Sequence, residues 1–475
     1  MEFNKKTLEM MEDDDISLWG EYADKISQSD IEFAEQIYQK ILTIDGEHTT
    51  ALSSYANFLQ EQGRYKETKL IYSRLLHLEK DNSNLNFRYG TFCVEIGEFE
   101  SADRLFVRFL DQEMLASERL MDKANELAEQ SKFRSAEWYY RFMMKQIPED
   151  PFIYNNYALL LADLGRFDEA EEFFKKALLE NEDLGSDVSV EFNYANLLFL
   201  LDRIEEAEWF YDKALVQDPN DLPVLNNYVL LLIRKGEFSK SESILKRILA
   251  INPADMVALQ TYSNLLVRDG KFEEAIHNAQ TLVNSYPDYA QAYFQLASVL
   301  AESDRLEAAV EMLQKSLSLD PNNIESITLL AVTFSDMDRY EESQAIFEQA
   351  LVDNANDPML RYHYAAMLFD WGKNDDAQLW ISALIEQDPD HGEALSLLGS
   401  ILKNQGKIYE ARTLFEKSLE KDPLNPDIWL QAALFFHETR DYIESDKCFV
   451  EALKLSPKDS QIVIEKTKCE TERFT

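Results

Sequence analysis

One short pattern returns along the whole chain at a nearly constant interval. The stretch YNNYALLLADLGRFDEA at 154–170 is repeated in outline as LQTYSNLLVRDGKFEEA at 259–275, with an aromatic, a small residue, an apolar run, a glycine and a second aromatic in the same order. A fixed period predicts one supersecondary unit repeated in an array, because such a unit buries its apolar surface only by stacking on the next one. Seven of the 13 glycines share one place in this pattern: Gly63, Gly97, Gly165, Gly236, Gly270, Gly372 and Gly406.

Small residues recur at two further places in each repeat. If the glycine is numbered position 15, position 8 is small in every repeat from the second onward except for Val229, and position 20 is always Ala, Ser or Thr. Small residues on two consecutive helices allow the helices to approach closely as an antiparallel pair. Large apolar residues such as Tyr157 at position 7 and Phe174 at position 24 then fill the space around that contact. The pattern predicts a helical hairpin in each repeat.

The spacing, the turn glycine and a proline near the end of most repeats together resemble the tetratricopeptide repeat (TPR) family, whose unit is a helix–turn–helix of 34 residues. The resemblance implies an all-α fold, an α-solenoid in which antiparallel helix pairs wind into a right-handed superhelix with the first helix of each repeat on the inner wall. It covers nearly the whole chain and identifies thirteen repeats, at 16–48, 49–82, 83–116, 117–150, 151–184, 188–221, 222–255, 256–289, 290–323, 324–357, 358–391, 392–425 and 426–459.

The phase of the repeats predicts how the chain is divided. Residues 1–15 form an N-terminal segment, 16–184 hold repeats one to five, and 188–459 hold repeats six to thirteen. The extra residues at 185–187 are either a hinge between two blocks or a lengthened loop. Residues 460–475 are expected to form a capping helix, because a terminal repeat must present a polar face to water.

Composition limits the classes of partner. The chain has 88 acidic and 47 basic residues and a formal net charge of −41. A surface this negative repels phosphate backbones and anionic lipids, so we expect neither nucleic acid nor a membrane as a partner. The charge either keeps a large helical surface soluble or favours basic partners. The charged N-terminus has no signal-peptide core and the three cysteines suggest no disulfide framework, so a cytoplasmic location is expected.

In TPR proteins the inner wall is formed mainly by positions 2, 5, 6, 9, 12 and 13, and several of these carry asparagine here. An asparagine amide both donates and accepts, so a row of them can hold a peptide backbone whatever its side chains are. The arrangement is similar to the asparagine ladder in the TPR superhelix of O-linked N-acetylglucosamine transferases. The alternative is that asparagine is simply a solvated residue at these places. The candidates are Asn156, Asn193 and Asn227 at position 6, and Asn196 and Asn264 at position 9.

Aromatic residues occur at position 5 of the same predicted wall. Aromatics exposed in a groove are anchors for apolar side chains of a partner, although packing against a neighbouring first helix would also explain them. Position 13 is acidic in repeats two to five and nine to eleven, which fits either a partner of complementary charge or solvated helix ends. The position 5 candidates are Phe87, Phe192, Phe294 and Tyr362.

No group of residues in the sequence predicts catalysis. The six histidines lack metal-ligand spacing, and no phosphate-binding glycine loop or nucleophile elbow occurs. Position 5 carries no Lys or Arg from the second repeat onward, so the TPR clamp for chaperone C-terminal carboxylates is not expected. We therefore expect no metal, no cofactor and no enzyme activity. The leading interpretation is a scaffold or adaptor that binds an extended peptide or partner protein in the concave groove. The alternative is a structural subunit that assembles through its convex face or its ends.

Overall fold

The computed structural model describes Leu8 and residues 16–181, 188–456 and 460–473. Within these ranges the chain consists of helices joined by short turns, which confirms the predicted all-α fold. The helices are α1 (Ile16–Ile26), α2 (Ile31–Ile44), α3 (Thr49–Glu61), α4 (Tyr65–Leu78), α5 (Ser83–Glu95), α6 (Phe99–Gln112), α7 (Ala116–Glu129), α8 (Phe133–Gln146), α9 (Pro151–Asp163), α10 (Phe167–Asn181), α11 (Val188–Leu200), α12 (Ile204–Gln217), α13 (Leu222–Arg234), α14 (Phe238–Ile251), α15 (Met256–Arg268), α16 (Phe272–Ser285), α17 (Ala290–Glu302), α18 (Leu306–Leu319), α19 (Ile324–Asp336), α20 (Tyr340–Asp353), α21 (Pro358–Asp370), α22 (Asn374–Gln387), α23 (Gly392–Asn404), α24 (Ile408–Lys421), α25 (Pro426–Glu438), α26 (Tyr442–Leu455) and α27 (Ser460–Glu472).

Odd-numbered helices are the first helices of the repeats and even-numbered helices are the second helices, up to α26. Each first helix packs against the second helix that follows it, and this pairing confirms the predicted hairpins. Some first helices of successive repeats also contact each other, as α9 contacts α11 and α23 contacts α25. The last helix, α27, contacts both helices of the preceding repeat.

The chain forms two compact units, Met1–Pro219 and Asn220–Thr475. The boundary between them lies within the last residues of the sixth repeat, after its second helix. The residues at 185–187, where the sequence breaks its phase, lie outside the described ranges, as do all residues of the N-terminal segment except Leu8. The division into blocks at 16–184 and 188–459 therefore stays a prediction.

The turn inside each repeat depends on one residue in the left-handed conformation. At position 15 the seven glycines have φ between 68° and 81°. The next N–H then bonds back to the first helix, as Arg64 N donates to Leu59 O at 2.9 Å, which closes the helix in a Schellman-type cap. Five repeats hold a residue other than glycine at this place with φ between 58° and 65°: Ser131, Asp202, Asp304, Asp338 and Arg440.

In the two repeats with glycine at position 8, an aromatic ring from the second helix lies directly over this position. A Cβ added to Gly90 would lie 2.6 Å from the Phe106 ring, and one added to Gly399 would lie 3.0 Å from the Phe415 ring. Both rings are at position 24 and are buried. The two helices of a repeat are thus held as close together as the ring allows.

Charged clusters link successive repeats in the first unit. The carboxylate of Glu171 accepts a bond from the Tyr194 hydroxyl at 2.9 Å and one from Arg203 at 2.8 Å, and both donors belong to the next repeat. Burial raises the pKa of Glu171, but bonds from Lys175, Arg203 and Tyr194 outweigh it and lower this pKa to about 2. The same residue types link two other pairs of repeats, through Glu35, Tyr55 and Arg64 and through Glu137, Tyr157 and Arg166.

Replacing Arg440 with glycine should stabilise the protein by about 1 kcal/mol, because a residue with a Cβ costs roughly that much in the left-handed conformation. Thermal denaturation measures the change. Gly270→Ala is the matched control, since the added Cβ would meet no atom within 4 Å and only the backbone conformation is penalised. A lower melting temperature for Arg440→Gly would contradict this account of the turn.

Glu171→Gln should lower the free energy of unfolding by about 3 kcal/mol at pH 7, because the pKa of Glu171 is about 2 in the folded protein and lies near 4.5 in an unfolded chain. A lowered pKa stabilises the folded state above the unfolded pKa, near 4.5, and this contribution disappears as pH falls from there to about 2. Urea denaturation at several pH values tests both statements. Glu172→Gln, which removes an exposed carboxylate on the same helix, should change stability by less than about 0.5 kcal/mol.

Candidate interaction surface

All nine candidate residues lie on first helices. The second unit holds Asn227, Asn264, Phe294 and Tyr362, and the other five candidates belong to the first unit. Eight of the nine are half-buried and Asn264 is exposed. Their side chains are therefore neither fully solvated nor part of the closed core.

Two of the asparagine amides in the first unit bridge neighbouring first helices. The Asn156 Nδ2 donates to the sulfur of Met121 at 3.4 Å, and the Asn193 Nδ2 donates to the Asn155 Oδ1 at 3.1 Å. In each case the acceptor lies on the first helix of the preceding repeat. These contacts orient both amides.

The position 9 asparagines accept bonds from other protein groups. The Tyr211 hydroxyl donates to the Asn196 Oδ1 at 2.6 Å from the second helix of the same repeat. The Gln295 amide donates to the Asn264 Oδ1 at 2.6 Å from the next first helix. These bonds tie the two asparagines to the protein through their carbonyl oxygens. The predicted ladder, in which the asparagines hold a peptide backbone, stays a prediction.

Phe87 lines a cavity of about 420 Å³ in the first unit. Its ring lies 5.1 Å from the ring of Phe109, and the Arg119 guanidinium stands 4.4 Å from its centre. Arg88 and Lys123 also line this cavity. All three basic groups have partners: Arg88 bonds to Ser53 and Asn57, Arg119 to Glu113 at 2.9 Å, and Lys123 to Glu126 at 2.7 Å. The acidic groups Asp122 and Glu126 in the lining, together with Glu113, balance these basic residues, so the cavity is nearly neutral.

Tyr362 lines a second cavity, of about 400 Å³, formed by first helices α21, α23 and α25 of the second unit. Among the described residues that line it, three are acidic and none is basic. We call it the acidic cavity. Its lining comprises Tyr362, Phe369, Asp370, Glu393, Ser396, Leu397, Ser400, Asp427, Ile428 and Gln431.

The acidic cavity has a rigid aromatic side. The Tyr362 ring stacks on the His391 ring, with 5.9 Å between centres and 17° between planes. The His391 Nδ1 in turn accepts a bond from the backbone of Ala394 and caps α23. The Glu393 carboxylate accepts a bond from the Asn425 amide at 3.1 Å. These contacts hold the Tyr362 ring and the Glu393 carboxylate in place within the protein itself.

The surroundings of this region disfavour the ionised forms of Asp370, Asp336 and Tyr362. Burial raises the pKa of Asp370, and the like charge of Asp336 raises it further. Burial also raises the pKa of Asp336. The pKa of Tyr362 is raised to about 12 by burial first and then by the charges of Glu393, Asp427 and Asp370. Burial and a neighbouring negative charge thus both disfavour the ionised form of Asp370.

The other two aromatics have different settings. Phe192 is half-buried and lies 6.4 Å from the Tyr211 ring of its own repeat. Phe294 is also half-buried. The position 5 pattern thus brings two aromatics, Phe87 and Tyr362, to cavities. It did not reveal Glu393, Ser396 or Asp427, although Glu393 and Asp427 share position 2, which belongs to the predicted inner wall.

Reactive groups are few in the part of the chain that the structure describes. There, no three His, Cys, Asp or Glu residues are placed to hold a metal ion. Burial raises the pKa of the Cys93 and Cys448 thiols to about 12, so neither is a ready nucleophile at neutral pH. No helix built from the described residues has both the length and the apolar composition needed to cross a membrane.

Comparison with known families matches the repeat pattern. Family models described as tetratricopeptide repeat match residues 151–184, 263–324, 328–392, 368–426 and 426–459. The solved structure of yeast Tom70 is similar to this chain with a TM-score of 0.48 and 14% identity, over 90% of this chain and 96% of that one.

Curated relatives match over short stretches. A segment of 83 residues is 35% identical to the Protein O-mannosyl-transferase TMTC3 of Homo sapiens, covering 17% of this chain and 9% of that protein. A segment of 81 residues is 31% identical to the N-terminal acetyltransferase A complex auxiliary subunit NAA15 of Arabidopsis thaliana, again 17% of this chain and 9% of that protein. The chain therefore spans less than a tenth of the length of either relative.

Asp370→Asn should stabilise the protein at pH 7. A carboxyl group whose pKa is raised on folding opposes folding while it is ionised, and this penalty disappears as pH falls through the raised value towards the unfolded one. Because solvent still reaches the side chain, we expect a gain of about 0.5 kcal/mol at pH 7 and none near pH 3. Asp375→Asn, at the exposed start of α22, is the control and should not stabilise. Equal melting temperatures for Asp370→Asn and the parent at pH 7 would refute the prediction.

Proposed function

This chain belongs to the tetratricopeptide repeat family, and from that premise we propose that it is a non-enzymatic scaffold that binds a partner protein or extended peptide on the first-helix face of its repeats. Proteins of this family bind peptides or other proteins. The observation that carries the proposal is where the cavities lie. The acidic cavity is lined wholly by first helices, and the cavity beside Phe87 is lined almost wholly by them.

The polar groups on this face suit a peptide main chain. Asn156 and Asn193 donate their Nδ2 groups to neighbouring helices, and these bonds hold the amides in fixed orientations. A peptide backbone supplies both N–H and C=O groups, and an amide that is already oriented loses little freedom when it binds one. Asn227 and Asn264 extend the same residue type into the second unit.

The chemistry of the chain favours a protein partner in the cytoplasm. A net charge of −41 disfavours nucleic acid and anionic lipid and favours a basic partner. All three cysteines are free and buried, which is typical of proteins from a reducing compartment. We propose that the protein acts there as an adaptor without a cofactor.

A second candidate is a structural subunit that assembles through its second helices. Large apolar side chains stand in solvent on these helices, and exposed apolar surface is a common feature of protein interfaces. Among them are Val216 at 81%, Val352 at 78%, Leu379 at 69% and Tyr409 at 84%.

Site-specific photo-crosslinking distinguishes the two functions. A photoreactive residue in place of Asn264 or Gln431, both exposed on first helices, should capture a partner protein in the native cell. The same residue in place of Val352 or Leu379 on second helices is the matched control and should not. Mass spectrometry identifies the captured protein, and binding is then repeated with the purified pair. Capture only from second-helix positions, with copies of this chain or with a complex, would favour the structural subunit instead.

A further inference from the structure

Exposed apolar side chains interrupt the repeat pattern at the starts of α24 and α26. Position 18, the second residue of each second helix, is polar or charged in repeats two to eleven, but it is Tyr409 in repeat twelve and Ile443 in repeat thirteen. These side chains are 84% and 72% exposed, and their neighbours Ile408 and Tyr442 are also exposed. We call these four residues the tyrosine–isoleucine patch. Ten repeats pack without an apolar residue at position 18, so its presence in two consecutive repeats indicates an interface.

The same helix faces form the walls of a cavity of about 840 Å³, which we call the α24–α26 cavity. Glu416 lies seven residues after Tyr409 on α24, and Val450 lies seven residues after Ile443 on α26, so each pair shares one face of its helix. Glu416 and Val450 both line the cavity. The patch and the cavity are therefore neighbouring parts of one surface. The apolar part of the lining comprises Leu419, Trp429, Phe436, Cys448 and Val450.

Contacts within the protein hold this cavity in shape. The Arg412 guanidinium on α24 donates to the Asp441 carboxylate, just before α26, at 3.0 Å. The Trp429 Nε1 donates to the Pro423 carbonyl oxygen at 2.9 Å, which orients the indole in the cavity wall. A cavity that is already formed loses little conformational freedom when a side chain enters it.

The chemistry of the cavity suits a neutral aromatic side chain. Carboxylates in its wall have ion-pair partners, as Glu416 has Arg412 at 2.9 Å and Glu444 has Lys447 at 2.6 Å. The wall therefore does not need a cation from outside. A tyrosine ring packs on the apolar lining, and its hydroxyl can bond to the charged groups around it.

The charge of α24 and α26 identifies which molecule can approach them. In a two-fold dimer the same surface faces itself, so a net charge on that surface would repel the second copy. The helix α24 has three acidic and three basic residues, and α26 has three acidic and two basic residues. By contrast, α20 has four acidic residues and α22 has three, and neither has a basic one. In a chain of net charge −41, this nearly neutral surface can meet its own copy.

We propose that a second copy of this chain docks on this surface, with Tyr409 of each copy entering the α24–α26 cavity of the other. The exchange is reciprocal, as a two-fold interface requires, because the protruding ring and the cavity lie on the same surface. Ile443 covers the rim of the opposite cavity. The proposal goes beyond the proposed function, since the dimer forms through second helices and leaves the first-helix faces of both copies free for a partner.

Analytical ultracentrifugation of the full chain at several concentrations tests the dimer. The parent should show a monomer–dimer equilibrium at micromolar concentrations. Tyr409→Ala combined with Ile443→Ala should raise the dissociation constant at least tenfold, and Val450→Gln in the cavity wall should raise it severalfold. An equimolar mixture of the double variant and Val450→Gln should dimerise more tightly than the double variant alone. In the mixed dimer Tyr409 of one copy still enters an intact cavity of the other.

A matched control separates this surface from exposed apolar side chains in general. Val352→Ala combined with Leu379→Ala truncates similarly exposed residues on α20 and α22 of the same unit. This variant should dimerise within twofold of the parent. A parent that stays monomeric at every concentration, equal weakening by the two double variants, or no gain in the mixture would overturn the proposal. Thermal denaturation verifies that each variant is folded.

Crosslinking identifies which molecule covers the patch. A photoreactive residue in place of Tyr409 should crosslink the purified protein to the cavity lining of a second copy, as mapped by mass spectrometry of the joined peptides. Capture of a different protein in the native cell, without crosslinks between copies, would overturn the proposal. Crosslinking from Asn264 and Gln431 reports on the first-helix face separately, so failure of the dimer and failure of the proposed function give different results.

Discussion

The close approach of the two helices in a repeat is the contact on which the rest of the structure depends. It requires a residue without a large side chain at position 8, because a position 24 ring such as Phe106 lies 2.6 Å from where a Cβ of Gly90 would be. It also requires a turn that only a left-handed residue provides. A hairpin closed in this way keeps apolar faces that it cannot bury alone, so each repeat is stable only against its neighbours. The repeated sequence is a consequence of this shared requirement.

The close approach of the two helices in a repeat allows the residue types on the first-helix face to differ from repeat to repeat. The close approach at position 8 does not fix the residue type at positions 2, 5, 6, 9, 12 and 13, so different repeats carry different side chains there. The cavity beside Phe87 is nearly neutral because its basic residues are balanced by Asp122, Glu126 and Glu113. The acidic cavity of the second unit has no basic residue in its described lining. The charge of the lining therefore differs between two cavities on first helices.

The structural features that the sequence predicts are those that recur from repeat to repeat. The helix pairs, the turn and the small residues recur in nearly every repeat, so one frame predicts them all, including Asp202 and Arg440 in the place of glycine. The Glu171, Tyr194 and Arg203 cluster was not predicted, because it joins side chains of different repeats that are 23 and 32 residues apart. For the same reason Glu393 and Asp427 went unrecognised. A site assembled from three helices depends on relative rotation, which no single repeat encodes.

Two carboxylates whose pKa values shift in opposite directions show how the surroundings of a charge affect stability in this fold. Burial opposes the charge of both Glu171 and Asp370, but only Glu171 has donors that more than compensate, so its pKa falls while that of Asp370 rises. The first arrangement stabilises the stack at neutral pH, and the second weakens it.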